Sequence, residues 1–165
     1  MGGYEDRPLA GIGGWLTFFL IVIGVLSPLR IVVEAVGLAN DSATAASFGE
    51  TWPLVMSAAW LMTAAQLAIF ALMFWRLVKV QTWKTVRLVI AGLWIAGLAL
   101  PLAFNLYLSA IAALPIGFVL ELGAFDLIRN SVVSGLWTAY FLRSERVANT
   151  YARPGEPDAL AEVFD

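Results

Sequence analysis

Residues 52–75 read WPLVMSAAWLMTAAQLAIFALMFW, without one formal charge. About 20 such residues cross the roughly 30 Å of bilayer hydrocarbon as a helix, so this run alone sets a membrane class for the chain. Three more stretches of similar length are mainly apolar, at 14–36, 88–108 and 122–142, the first and last each holding two charged residues. The chain as a whole is 61% hydrophobic and 13% charged, outside the usual soluble balance of about half apolar and a quarter charged. With 165 residues it has room for these spans and no separate soluble domain.

The expected fold is an all-α integral membrane protein, a bundle of four transmembrane helices. Residues 1–13 are expected to form a cytoplasmic N-terminal segment, 14–142 the membrane domain and 143–165 a cytoplasmic tail whose last part, RPGEPDALAEVFD, is polar and acidic. MGGYEDRPLA starts acidic and leads into an apolar run too long for a signal peptide, which predicts a retained span. Residues 109–124 are too apolar for a free loop, yet Pro115 and Gly117 interrupt them. They are expected to form a short interfacial or re-entrant segment between helices 3 and 4, or an extension of the fourth helix.

Lysine and arginine set the orientation, because short cytoplasmic loops carry their excess. Arg76, Lys79, Lys84 and Arg87 lie between spans two and three; Arg143, Arg146 and Arg153 follow span four, and Arg7 precedes span one. These eight of the ten basic residues agree, placing both termini in the cytoplasm. The opposite side receives Asp41 and Glu50, with Glu34, Glu121 and Asp126 near it.

The remaining two cations, Arg30 and Arg129, fall inside apolar runs. Arg30 lies about 24 Å into span one at 1.5 Å per residue, in the outer leaflet, and Arg129 reaches a similar depth in span four. Glu34 follows Arg30 by four positions and Asp126 precedes Arg129 by three, so each arginine has a carboxylate on its own helix face. A clasp joining spans one and four, or snorkelling towards the interface, is the favoured reading, and a protonatable carboxylate in an ion pathway the alternative. Pro28 and Pro101 each follow a glycine by four residues, Gly24 and Gly97, and Asn105 stands one turn beyond Pro101. Gln66, the lone polar amide of span two, is expected to hydrogen-bond between helices. Small residues mark packing faces on span two (Ala64, Ala68, Ala71), span three (Gly92, Ala96, Ala99, Ala103) and span four (Ser131, Gly135, Thr138).

The chain has no cysteine and no histidine, which excludes disulfides, thiolate chemistry, iron–sulfur clusters and imidazole acid–base work. No metal site, cofactor or catalytic set is expected. GIGGWL lacks the third glycine of a dinucleotide fingerprint and leads into a membrane helix, with Trp15 as interfacial anchor. The basic loop is explained by topology and anionic lipid headgroups rather than nucleic acid. Membrane lipids, and a membrane-protein partner or a second copy of the chain, are the expected partners.

LAGIGGWLTFF with the SPLR that follows it, and LWTAYFLRSERVANTY near the end, resemble the two ends of an uncharacterised bacterial family of small four-span inner-membrane proteins, classed as a domain of unknown function. The resemblance covers residues 9–151. Its most specific positions are Gly11, Gly13, Gly14, Trp15, Ser27, Pro28, Trp137, Tyr140, Ser144, Arg146, Val147 and Tyr151. It implies a bacterial inner membrane and brings no reaction, ligand or catalytic residue. The two motifs flank the cytoplasmic ends of spans one and four, so they are expected to touch. The leading functional expectation is an accessory or scaffolding protein acting through helix–helix contacts. A small transporter or channel using Arg30, Glu34, Asp126 and Arg129 comes second, and a lipid-acting enzyme third. A hydrated cleft favours transport; a dry bundle with a lipid-facing stripe of small residues favours the accessory role.

Overall fold

The computed structural model describes residues 11–151. The expectations for residues 1–10 and 152–165, including Arg7, Arg153 and the polar tail, lie outside the described residues. The described chain is helical, with no strand among them.

Gly14, at φ +56, turns the chain into α1 (Trp15–Ile21); glycine adopts this left-handed backbone at little steric cost. A π turn at Val22–Leu26 carries it into α2 (Ser27–Ala39). Asp41 caps the short α3 (Ser42–Phe48) by accepting from the Ala43 and Thr44 amides, both at 3.1 Å. A single 3₁₀ turn then leads to α4 (Trp52–Lys79), which has Pro53 in its first turn, where no amide donor is needed. Residues 80–82 connect to α5 (Trp83–Trp94), a second π turn (Ile95–Ala99) and α6 (Leu100–Ile111). After a tight turn comes α7 (Ile116–Arg143), and Ser144 caps α8 (Glu145–Thr150) by accepting from the Val147 amide.

Three helical stretches are long and apolar enough to cross a membrane: Trp15–Ala39, Ser42–Lys79 and Trp83–Ile111. The fourth long helix, α7, has 28 residues, about 42 Å at 1.5 Å each. It is not one of the three, because Glu121, Asp126, Arg129 and Arg143 interrupt its apolar character. No separate re-entrant segment forms between the third and fourth long helices. Residues up to Ile111 finish α6, and Ile116 onward already belong to α7, so the extension alternative holds. Pro115 precedes the first turn of α7, where proline is compatible with helix initiation.

Consecutive long helices run antiparallel through short connections, as in up-and-down bundles. α4 packs against α2 and the first π turn on one side and against α5 and α6 on the other, while α7 packs against α5, α6 and the second π turn. The ends differ in charge among the described residues. One carries Arg76, Lys79, Lys84, Arg87, Arg143 and Arg146 with Glu145; the other carries Glu34, Asp41, Glu50, Glu121 and Asp126 with Arg30 and Arg129. The core sits towards the basic end. Leu16, Phe19, Ile23, Met73, Leu77, Val86, Val89, Phe141, Val147 and Tyr151 are all essentially inaccessible. By contrast, α6 buries no residue fully.

Candidate functional site: a polar cavity above a closed end

Both π turns precede a proline by the same interval. Ser27 donates to the Val22 carbonyl and Leu100 to the Ile95 carbonyl, each five residues back. In the second turn this register leaves the Ala96 carbonyl facing Pro101, which has no N–H to give. Gln66, nearly buried, fills the gap by donating Nε2–H to the Ala96 oxygen at 2.9 Å. Its expected interhelical hydrogen bond is therefore present, and its partner is a carbonyl made available by the third span's own proline. Gly24 faces the ring of Phe74, where an added Cβ would stand 2.8 Å from ring carbons. Asn105 lies elsewhere: it packs against Gly123 between α6 and α7 and does not line the cavity described next.

The π turns and the halves of α2, α4 and α7 facing them enclose a cavity of about 320 Å³. Its wall includes Ser27, Arg30 and Glu34 from α2, Gln66 from α4, and Asp126, Arg129, Asn130 and Ser134 from α7, with Gly97 and Pro101 completing it. All four members of the expected charged cluster thus line one space. The Arg30 Nε donates to Glu34 Oε1 at 2.8 Å, and the Arg129 Nη2 to Asp126 Oδ1 at 2.8 Å. Among the described residues no ion pair joins spans one and four: each arginine is paired with a carboxylate of its own helix, and both pairs line the cavity. Arg129 also stands over the Phe125 ring, 5.8 Å from its centroid, while its Nε is buried with no hydrogen-bond partner. Asn130 and Ser134 escaped sequence reasoning; they follow Arg129 on α7, and the Ser134 hydroxyl bonds the Leu93 carbonyl at 3.3 Å.

Towards the basic end the cavity closes. Phe19 of α1 meets Trp137 and Phe141 of α7 at centroid distances of 4.5 and 4.9 Å. Trp94 donates to the Thr138 hydroxyl at 3.2 Å, tying α5 to the same turn of α7. On the outer surface of this contact Trp15, Val133, Leu136, Trp137 and Tyr140 line an apolar groove of about 310 Å³.

Below the aromatic contact the two motif segments meet, as expected. The Gly11 amide, in a residue at φ +83, donates to the Thr150 hydroxyl at 2.9 Å. Gly13 leaves room for the Arg146 guanidinium, whose Nη1 would lie 2.5 Å from a Cβ placed there. Tyr151, fully buried, donates its hydroxyl to the Leu77 carbonyl at 2.8 Å, satisfying a carbonyl of α4's last turn. Burial, with Tyr140 nearby, pushes the Tyr151 phenol up to about 12. At the far end, hydrogen bonds from Thr44 hold the Asp41 carboxyl below its ordinary value.

The small-residue faces divide. Gly92 and Ala96 are buried against α4, with Met73 packed on Gly92, whereas Ala99 and Ala103 are exposed. Ala64, Ala68 and Ala71 all lie on an exposed face of α4 beside Leu61 and Trp75. No group of acidic residues among those described is arranged to hold a metal ion.

The model of a family described as "Protein of unknown function (DUF2569)" matches residues 9–152. No curated protein and no solved structure matches the chain.

Proposed function

The chain belongs to the DUF2569 family of unknown function, and from that premise we propose that it is a multi-pass bacterial inner-membrane protein that binds a ligand carrying charged groups. It crosses the membrane four times, with α7 as the fourth span and both termini in the cytoplasm. The supporting observation is the cavity, in which two ion pairs, Gln66 and Asn130 share a largely apolar lining and face one space that is stoppered below by Phe19, Trp137 and Phe141. A continuous channel does not fit that stopper. Among the described residues no convergent set of nucleophile, acid and base accompanies the cavity, which favours binding over catalysis.

The charge asymmetry supports the orientation. Arg76 and Lys79 close α4, where cations favour the helix dipole, but Lys84 and Arg87 open α5, where the dipole disfavours them. Helix stability does not account for that loop; a cytoplasmic surface does. Cysteine replacing Asn40 is expected to react with an impermeant reagent from outside the cell, and cysteine replacing Thr82 only after permeabilisation. The reverse pattern contradicts this topology.

A second reading, an accessory protein joined to a membrane partner or to its own copy, draws on the exposed α4 face of Leu61, Ala64, Ala68, Ala71 and Trp75. Gentle extraction followed by mass-spectrometric identification of everything that accompanies the chain separates the two. A reproducible non-protein ligand is expected. A stoichiometric protein with no such ligand would replace the binding reading with the accessory one.

A further inference from the structure

The polar cavity and the apolar groove share two lining residues, Val133 and Trp137, so they adjoin at these residues and lie in line as a track along α7. The track changes chemistry abruptly. Arg129 and Asp126 lie at its upper part, and Trp15 and Tyr140 at its lower part. From Arg129 to Leu136 the helical rise is about 10 Å, within the roughly 15 Å that half of the 30 Å hydrocarbon thickness spans. Leu29 and Val33 on α2, and Phe125 and Ile128 on α7, are exposed apolar residues next to the charged pairs along their helices.

We propose that this track holds one zwitterionic glycerophospholipid of the outer leaflet, its phosphate on Arg30 and Arg129 and an acyl chain in the groove beneath. The proposal rests on the binding reading above and adds the ligand's class. Each guanidinium has five N–H donors, and the local carboxylates use only part of them. The Arg129 side chain is 37% exposed, so its remaining guanidinium donors are open to a phosphate oxygen. Glu34 and Asp126 remain to face a primary ammonium, so an ethanolamine headgroup matches the cavity's balanced charge. A free phosphate would use the arginines equally well but leaves the groove without purpose.

The test uses the full chain reconstituted in phosphatidylcholine bilayers containing a minor share of phosphatidylethanolamine, then extracted in mild detergent. Native mass spectrometry is expected to find phosphatidylethanolamine retained in preference to phosphatidylcholine. Arg129→Gln and Arg30→Gln each lower that retention about tenfold, the loss expected from one hydrogen bond to a charged group. Arg87→Gln, at the basic end, leaves it unchanged. Leu136→Trp, a substitution at an exposed position, lowers retention by filling the groove without altering any charge; a thermal melt of each variant confirms that it folds. Retention indifferent to both arginine substitutions overturns the lipid site. If soluble phosphoethanolamine raises the melting midpoint as much as the lipid does, and Leu136→Trp has no effect, the cavity is a binding site but its ligand is water-soluble, and the lipid assignment is wrong.

Discussion

At the basic end, span one and α7 meet through Phe19, Trp137 and Phe141; three turns further on, the same span as α2 and the same α7 stand on opposite sides of a cavity, with Arg30 on one wall and Arg129 on the other. Apolar side chains gain little by leaving lipid for each other, so helices associate where shapes interlock or polar groups pair across the gap. Large rings interlock at the basic end, and the α8 segment returns to seal it with Tyr151. In the other half each arginine pairs with a carboxylate of its own helix, so no ion pair draws α2 and α7 together. Local pairing thus leaves the bundle open: i,i+4 and i,i−3 ion pairs hold each arginine to its own helix, and its remaining donors face the interhelical space.

Substitutions sharpen this contrast in order of size. Phe141→Ala, in the closed half, is expected to destabilise the protein in detergent by about 3–5 kcal/mol, whereas Phe125→Ala, at an exposed position, changes it by less than about 0.5 kcal/mol. Equal losses in chemical-denaturant titrations would erase the distinction between the halves. Tyr151→Phe removes the bond to Leu77 and is expected to cost about 1–2 kcal/mol, because a buried carbonyl loses its donor. Its pH dependence follows from the raised phenol. The folded state favours the protonated form, so the stabilisation is complete below the ordinary value of 10.0 and disappears as pH rises through about 12. Over that window wild type should lose stability faster than Tyr151→Phe, and parallel curves would show that the phenol is not held as described.

Gln66→Met tests the floor of the cavity, with an expected loss of about 0.6–1.7 kcal/mol, the range for interhelical hydrogen bonds in a membrane. Pro101→Ala restores an amide to that stretch of the third span, so Gln66→Met should cost less in the Pro101→Ala background. A full, additive loss in the double variant would mean that the proline does not create Gln66's acceptor. The smallest effect belongs to Asp41→Asn, which alters the cap of a short exposed helix. Its carboxylate contributes above the ordinary value of 3.8 and loses that contribution as pH falls through its lowered folded value, a change confined to amide protection in α3.

Local features were legible in the sequence. The charge-free run at 52–75 lies within α4, and both carboxylate–arginine pairs form at the spacing that a helix imposes. Pro28 and Pro101 announced irregular helix but not the π register, which depends on which carbonyl each following amide selects. Long-range partners were less visible. Gln66 was marked as interhelical without its acceptor, and the Tyr151 hydroxyl's bond to Leu77 joins residues 74 apart in sequence. The supposed clasp failed because helical spacing reports neighbours on one face and carries no information about how far away the next helix stands. Pro115 and Gly117 suggest a break, yet a proline before the first turn starts α7 rather than interrupting it.

The chain's lack of native cysteine makes one measurement decisive for the contrast itself. Single cysteines placed in turn along the cavity-facing side of α7, at Asp126, Arg129, Asn130, Val133, Trp137 and Phe141, are reacted in native membranes with a small hydrophilic thiol reagent applied from outside. The account predicts rapid labelling at Asp126, Arg129 and Asn130, an abrupt fall at Trp137, and none at Phe141. Uniform protection along the helix, or reactivity that continues past Trp137, would contradict an open polar half above a closed one.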